Sequence, residues 1–274
     1  MLIAHVTDPH IGLRTNLMKA HPGPDEAFRR ALAHLRQLQP LADVLLLSGD
    51  LSENGHTQDY EALARVIGEE LSELTERGLL VLAIPGNHDN PDMAKSVLGD
   101  LMPVAADAPV GRVCIHVERG GLHFIGLDTV HLGFAHGLLE EAQLHWLEVQ
   151  LKACAGQPVV IFMHHPPLVS GIAIMDACGL IQGAPQLRKL VAEHGQVQLI
   201  AAGHLHRPVV GALGGAPVVV APSSSHQLDL NLEPGAPLAC RMEPPMVGIY
   251  RWTPQDGIAC HFSHVNPFAG PYPI

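Results

Sequence analysis

Five short motifs lie between residues 8 and 206: Asp8-x-His10, Gly49-Asp50, Gly86-Asn87-His88-Asp89, His164-His165-Pro166 and Gly203-His204-Leu205-His206. Together they offer the carboxylates of Asp8 and Asp50, the imidazoles of His10, His164, His204 and His206, and the amide oxygen of Asn87. Such a mixture suits borderline divalent ions such as zinc, manganese, iron or cobalt, whereas calcium would ask for oxygen ligands throughout. The inventory is large enough for two adjacent ions. The chemistry it points to is two-metal hydrolysis.

The spacing within each motif assigns tasks. Asp8 and His10 are two apart, so an extended strand end would point both side chains at one ion. Asp50 can place one carboxylate between two cations, a bridging role that a neutral residue fills poorly. Asn87 offers an oxygen without adding charge. His204 and His206 reach different ions only if the backbone between them turns. Two ions bring about four positive charges, and Asp8, Asp50 and a shared hydroxide supply about three negative ones, so the centre keeps a charge near +1 that suits one phosphodiester oxygen anion. With 19 histidines in the chain, any single one is more often a surface or core residue. The metal reading rests on all five motifs occurring in order.

Each motif must be held by an element. Short apolar runs at Leu2 to Val6, Val44 to Leu47, Leu79 to Ile84, Leu122 to Leu127, Val159 to Met163, Val197 to Ala202 and Val218 to Ala221 predict buried strands. Amphipathic stretches at Asp25 to Gln39, Thr57 to Arg77, Glu140 to Ala153 and Pro185 to His194 predict helices. Strands alternating with helices predict an α/β layered fold, with each motif at the C-terminal end of a predicted strand. From Arg207 to Pro245 the chain turns rich in Gly, Pro and Ser and reads as an arm. Val247 to Trp252 and Ile258 to His264 read as a hairpin returning to the sheet.

Composition narrows the function further. A formal charge of -11 disfavours a nucleic-acid polymer as partner, because such binding needs clustered Lys and Arg. The five cysteines are widely spaced, without a Cys-x-x-Cys pair, and read as reduced thiols. No stretch approaches the roughly 20 apolar residues of a membrane span, and the opening residues lack a basic region before Asp8, so the cytoplasm is the expected location.

The five motifs resemble those of the calcineurin-like metallophosphoesterases. The Ala4-His5-Val6-Thr7-Asp8 opening, the Met163-His164-His165-Pro166-Pro167 run and the arm are similar to class III cyclic nucleotide phosphodiesterases and the bacterial glycerophosphodiesterase related to them. That resemblance implies a four-layer αββα sandwich, with residues 1–206 catalytic, 207–247 a cap or dimerisation arm, and 248–274 a C-terminal hairpin returning to the catalytic unit. It also implies that Asp8, His10, Asp50 and His206 hold a first ion, and Asp50, Asn87, His164 and His204 a second. His88 is then expected to act on phosphate or leaving group, and His165 and His226, with Asn87, to contact substrate. The activity implied is hydrolysis of small phosphodiesters such as cyclic AMP or glycerophosphodiesters, by a homo-oligomer joined through the arm.

Three alternatives stand beside it. A phosphomonoesterase shares the metal motifs but usually carries an Arg beside Gly-Asn-His, where this chain has Pro85. A non-catalytic scaffold would have lost ligands that are all present here. A nuclease of the same motif set would need a basic surface.

Overall fold

Apolar runs alternating with amphipathic stretches become two facing sheets with helices outside them. The computed structural model describes residues 1–15 and 21–273. In chain order the first elements are β1 (Leu2–Val6), α1 (Pro24–Leu35), β2 (Val44–Ser48), α2 (Thr57–Glu76), β3 (Leu80–Ile84) and α3 (Pro91–Leu98). There follow β4 (Ile115–Arg119), β5 (Leu122–Leu127), β6 (Gly137–Leu138), α4 (Glu141–Ala153), β7 (Val159–Met163), α5 (Ala173–Asp176) and β8 (Leu180–Gln182). The last are α6 (Ala184–His194), β9 (Val197–Ala202), β10 (Val209–Leu213), β11 (Ala216–Val220), β12 (Gln227–Leu228), β13 (Cys240–Arg241), β14 (Met246–Thr253) and β15 (Gly257–His264).

One sheet has the order β15-β14-β1-β2-β3, the other β10-β11-β9-β7-β5-β4. In the first, β1, β2 and β3 run parallel and β14 antiparallel to β1. In the second, β5, β7, β9 and β11 run parallel and β4 and β10 close the edges antiparallel. The strands β2 and β3 of one sheet face β7 and β5 of the other, while α1, α2 and α3 pack together and α4 packs beside α6. This is the αββα sandwich. Gly126 in β5 permits the close approach, since a side chain there would collide with Ile84 across the interface and with Phe162 beside it.

Local chemistry explains the elements. In α2, Tyr60, Leu63, Ile67, Leu71 and Leu74 recur at helical spacing and are buried. Helix α4 starts with a capping box between Glu140 and Gln143, and α6 ends at Gly195 in the left-handed region at φ 61°. Strands buried on both faces, such as β2 and β7, are continuous apolar runs, because both sides touch core.

Some elements escape the apolar-run reading. Helix α3 is short, opened by Asn90 accepting from Met93 N and by Pro at its first turn. Edge strand β4 mixes apolar with polar residues, and β10, although apolar throughout, is half exposed and falls inside the stretch read as an arm. The shift in composition at Arg207 therefore does not mark the edge of the sheet: residues 209–220 are its hairpin, and the irregular stretch begins after β11. The tight Thr253 to Gly257 turn does join β14 to β15.

Candidate metal centre

The loops following β1, β2, β3, β7 and β9 meet at one end of the two sheets. They are tied to one another by backbone bonds: Asp8 N donates to Gly49 O at 3.2 Å, His10 N to Asp50 O at 2.9 Å and Gly203 N to His164 O at 3.1 Å. The Asp8 carboxylate accepts from His204 N at 3.1 Å, joining the first motif to the last. Asp89 accepts from Leu51 N, Ser52 N and Gly86 N and so pins the second motif to the third; burial raises its pKa to about 6.

Among the described residues, the non-glycine residues at positive φ are Asp8 (50°), His10 (48°), Asp50 (48°), His204 (70°) and His206 (48°). Each such residue costs about 1–3 kcal/mol, and all five belong to the expected ligand set, so the strain is concentrated where side chains must converge. The expectation that Asp8 and His10 lie on an extended strand end is thereby corrected. They reach one pole through a left-handed turn, while the turn needed between His204 and His206 is present. Gly86 and Gly203 have no room for a side chain, which at Gly203 would meet Thr7 and the Asp8 carboxylate and at Gly86 would meet Asp50.

The seven expected ligands form two groups sharing Asp50. In one, Asp8, His10, Asp50 and His206 have ligand atoms within 4.8 Å of one another, all buried. His206 Nε2 lies 3.3 Å from Asp8 Oδ1, and His10 Nε2 3.6 Å from Asp50 Oδ2. In the other, His164 Nε2 lies 3.4 Å from Asp50 Oδ1, 3.1 Å from Asn87 Oδ1 and 3.2 Å from His204 Nδ1. Asp50 thus turns one carboxylate oxygen to each group.

Tautomers decide whether cations fit. His206 Nδ1 donates to His226 O at 3.0 Å, and His10 Nδ1 donates to the Glu53 carboxylate at 2.7 Å. Each ring then has a lone pair on Nε2, and these two atoms face each other at 3.0 Å. His164 Nδ1 donates to Ser48 O at 2.8 Å, so its Nε2 lone pair faces the oxygens of Asn87 and Asp50. Converging lone pairs repel unless positive charge lies among them, and the residues fit divalent ions on that ground.

The electrostatics agree. Burial works to raise Asp8, but His206 and then His164 pull its carboxyl well below the usual range. Burial likewise opposes ionisation of Asp50, and His164 and His10 override it. Burial would lower His164, yet Asp50 and Asp8 raise it to about 9. A field that strong for a proton is equally strong for a cation. His204 is lowered to about 3 by burial and by His164, which keeps its ring neutral.

A cavity of about 350 Å³ opens onto this centre, lined by His10, Asp50, Asn87, His88, His204 and His206 on the metal side and by Ile174, Met175, Leu228 and Leu238 opposite. His88 and His226 also line it. The His88 ring donates from Nδ1 to Glu53 O at 3.0 Å; burial lowers its pKa, but Asp50 and the Glu53 carbonyl produce a net rise. The His226 ring stands 4.6 Å from that of His206, and burial lowers its pKa to about 3.

His165 departs from expectation. It is fully buried, its Nε2 donates to Ala135 O at 3.2 Å and its Nδ1 accepts from Thr129 Oγ1 at 2.8 Å, so it packs behind His164 and His204 rather than touching the cavity. Asp176 accepts from Ser170 N and Gly171 N and so fixes the turn leading into α5, which carries Ile174 and Met175. Leu228, in the arm, is buried and lines the cavity.

Motif reading missed two groups. Glu53 orients His10, and its only signal was an acidic residue three positions after Asp50. Behind Asp8 runs a buried chain in which every donor points the same way: Tyr250 OH to His5 Nδ1 (2.8 Å), His5 Nε2 to Ser48 Oγ (2.7 Å), Ser48 Oγ to Thr7 Oγ1 (2.8 Å) and Thr7 Oγ1 to Asp8 Oδ2 (2.7 Å). Burial lowers His5 to about 4, which keeps the ring neutral as this direction requires. Its one signal was a histidine inside an apolar strand. Tyr250→Phe is expected to cost about 1–3 kcal/mol of stability, by orphaning His5 Nδ1, and to weaken ion binding about tenfold or more by loosening Asp8. Thermal melts and metal titration check both effects; unchanged affinity would confine the chain to a folding role.

A family model described as calcineurin-like phosphoesterase matches residues 1–208. The chain belongs to that family. It is 32% identical to a probable glycerophosphodiester phosphodiesterase GpdQ of Arcobacter nitrofigilis, over 100% of this chain and 97% of that one. It is also 32% identical to a probable cyclic nucleotide phosphodiesterase of a Synechococcus strain, over 95% of each. Among solved structures, a dimetal phosphatase from Danio rerio superposes with a TM-score of 0.69 at 14% identity, covering 97% of this chain and 96% of that one, and supports the shared fold.

Proposed function

We propose that this calcineurin-like phosphoesterase hydrolyses small phosphodiesters, cyclic nucleotides or glycerophosphodiesters, with two divalent ions of manganese, iron, zinc or cobalt. The observation that carries the reading is Asp50 turning one oxygen toward each of two donor groups. In this reading Asp8, His10, Asp50 and His206 hold one ion and Asp50, Asn87, His164 and His204 the other. Bound there, the ions supply Lewis acidity toward phosphoryl oxygens and lower the pKa of water toward about 7.

The protein's own groups do the rest. Glu53, Ser48 O and His226 O hold the rings of His10, His164 and His206 by their outer nitrogens, so the inner nitrogens are presented without reorganisation. His88, on the cavity wall and anchored through Nδ1, is placed to give a proton or hydrogen bond from its other face to the departing oxygen. His226 is the proposed contact for the remainder of the substrate, with the apolar wall opposite excluding water.

The described lining residues include no Lys or Arg, so a monoester dianion gains no clamp beyond the ions. A missing charge-assisted bond is worth about 1.5–3 kcal/mol, and bis(p-nitrophenyl) phosphate should therefore be cleaved at least about tenfold faster than p-nitrophenyl phosphate. Rates on both, with cyclic AMP and glycerophosphoethanolamine alongside and each metal in turn, check this. A faster monoester reaction would favour the phosphatase reading.

The described residues contain no helix long and apolar enough to cross a membrane. We place the enzyme in the cytoplasm, in keeping with the five free thiols and an acidic chain unsuited to nucleic-acid polymers. Residues 207–247 are proposed to end in a cap and self-association arm after β11, where Leu230, Leu232 and Leu238 are exposed. Light scattering across concentrations tests it, and a concentration-independent monomer would retire the homo-oligomer.

A further inference from the structure

We propose that His116, His123 and Cys154 form a site for one zinc-class transition ion, separate from the catalytic cavity. The site sits where the edge of the second sheet meets the end of α4. It shares no residue with the cavity lining.

Register brings the two histidines together. Glu118 of β4 pairs with His123 of β5, so His116 lies diagonally from His123 on the same sheet face. Cys154 caps the C-terminal end of α4 above that face. The three ligand atoms lie within 4.8 Å of one another. Tetrahedral zinc needs N···N and N···S separations of about 3.3–3.6 Å, within reach of small rotamer adjustments.

Hydrogen bonds set both rings to offer lone pairs. Gln150 Nε2 donates to Asp107 Oδ2 at 2.8 Å, which leaves Gln150 Oε1 to accept from His116 Nδ1 at 2.7 Å. His123 Nε2 donates to Gln157 Oε1 at 2.8 Å. The inner atoms, His116 Nε2 and His123 Nδ1, then face each other at 2.9 Å with no proton assigned between them. This is the arrangement by which amide oxygens orient metal-binding imidazoles from outside. Cys154 is buried, which pushes its thiol up, while Gln196 Nε2 donates to its sulfur at 3.4 Å. An incoming ion would displace the thiol proton to solvent and form the metal–sulfur bond.

Two nitrogens and one sulfur select zinc over magnesium, calcium or manganese. Bound there, the ion would clip the β4–β5 edge hairpin to α4. A third proton shared by the imidazoles is the competing occupant.

The sulfur gives the test a signature that the catalytic centre, with its oxygen and nitrogen donors, lacks. Cobalt(II) added to Asp50→Ala should produce a thiolate-to-cobalt charge-transfer band saturating at one equivalent, the full chain should reach a band of the same final intensity, and zinc should raise the melting temperature of both. Cys154→Ser and His123→Gln should each lose the band and one bound ion by elemental analysis, with diester turnover retained. Absence of the band in the full chain, or its persistence in Cys154→Ser, overturns the site and leaves a hydrogen-bonded imidazole pair. Should Cys154→Ser fail to fold, His123→Gln on the half-exposed strand gives the same comparison. Since Asp50→Ala removes the catalytic centre and spares this one, failure here is distinct from failure of the phosphodiesterase reading.

Discussion

Asp50→Ala should bind neither catalytic ion and should lose at least about a thousandfold in diester turnover. Asp50 is the residue common to both donor groups, 3.6 Å from His10 Nε2 and 3.4 Å from His164 Nε2. Removing it takes one negative charge from each ion at once, and in a buried setting a carboxylate–cation pair is far stronger than in water. The fold should survive, because Asp89 independently anchors Leu51, Ser52 and Gly86. Asp50 already stands at φ 48°, where alanine is tolerated less well than aspartate, so a modest fall in melting temperature is expected. Elemental analysis and initial rates on bis(p-nitrophenyl) phosphate are the measurements. Asp8→Ala is the comparator, since it belongs to one group and should lose one ion first. Metal content unchanged in Asp50→Ala would refute the bridge.

The second large effect separates chemistry from metal binding. His88→Ala should lower turnover by about 10²- to 10⁴-fold, the range for losing a general acid, while leaving both ions in place. His88 adjoins Asn87, yet its ring is held by the Glu53 carbonyl and its backbone N–H donates to Asp50 Oδ1 at 2.9 Å. Alanine preserves that backbone bond and removes only the ring. A substrate with a better leaving group needs less proton donation, so p-nitrophenyl esters should lose less than alkyl diesters such as glycerophosphoethanolamine. Equal losses would assign His88 to phosphate binding, and loss of an ion would make it a ligand.

How far the residues alone reached varies by element for physical reasons. Strands β1, β2, β5, β7 and β9 were legible because most of their residues touch core on both faces, which demands an apolar run, interrupted only at His5, His123 and Gln198. Edge strand β4 was not, because one face meets solvent and Ile115 to Arg119 mixes apolar with charged residues, and the apolar β10 was hidden by the Gly- and Pro-rich stretch that follows it. The candidate donors could be picked out because motif chemistry is local: Asp-x-His, Gly-Asp, Gly-Asn-His-Asp and Gly-His-x-His each stand out within a few residues. His165 was misplaced as a substrate contact because adjacent histidines on one loop look alike in sequence. Only Thr129 and Ala135, distant in the chain, occupy its ring nitrogens and keep it from the cavity.

Residue type and order alone determined that donors suited to divalent ions follow the C-terminal ends of several strands, since donor chemistry and strand periodicity are properties of neighbouring residues. Tertiary structure alone decided that Asp50 faces two donor groups, that Asp8, His10, Asp50, His204 and His206 reach them through left-handed backbone, and that Glu53 and the chain from Tyr250 to Asp8 stand behind them. Those facts depend on distances between segments up to 245 residues apart, which the packing of one sheet on another sets and local sequence does not encode.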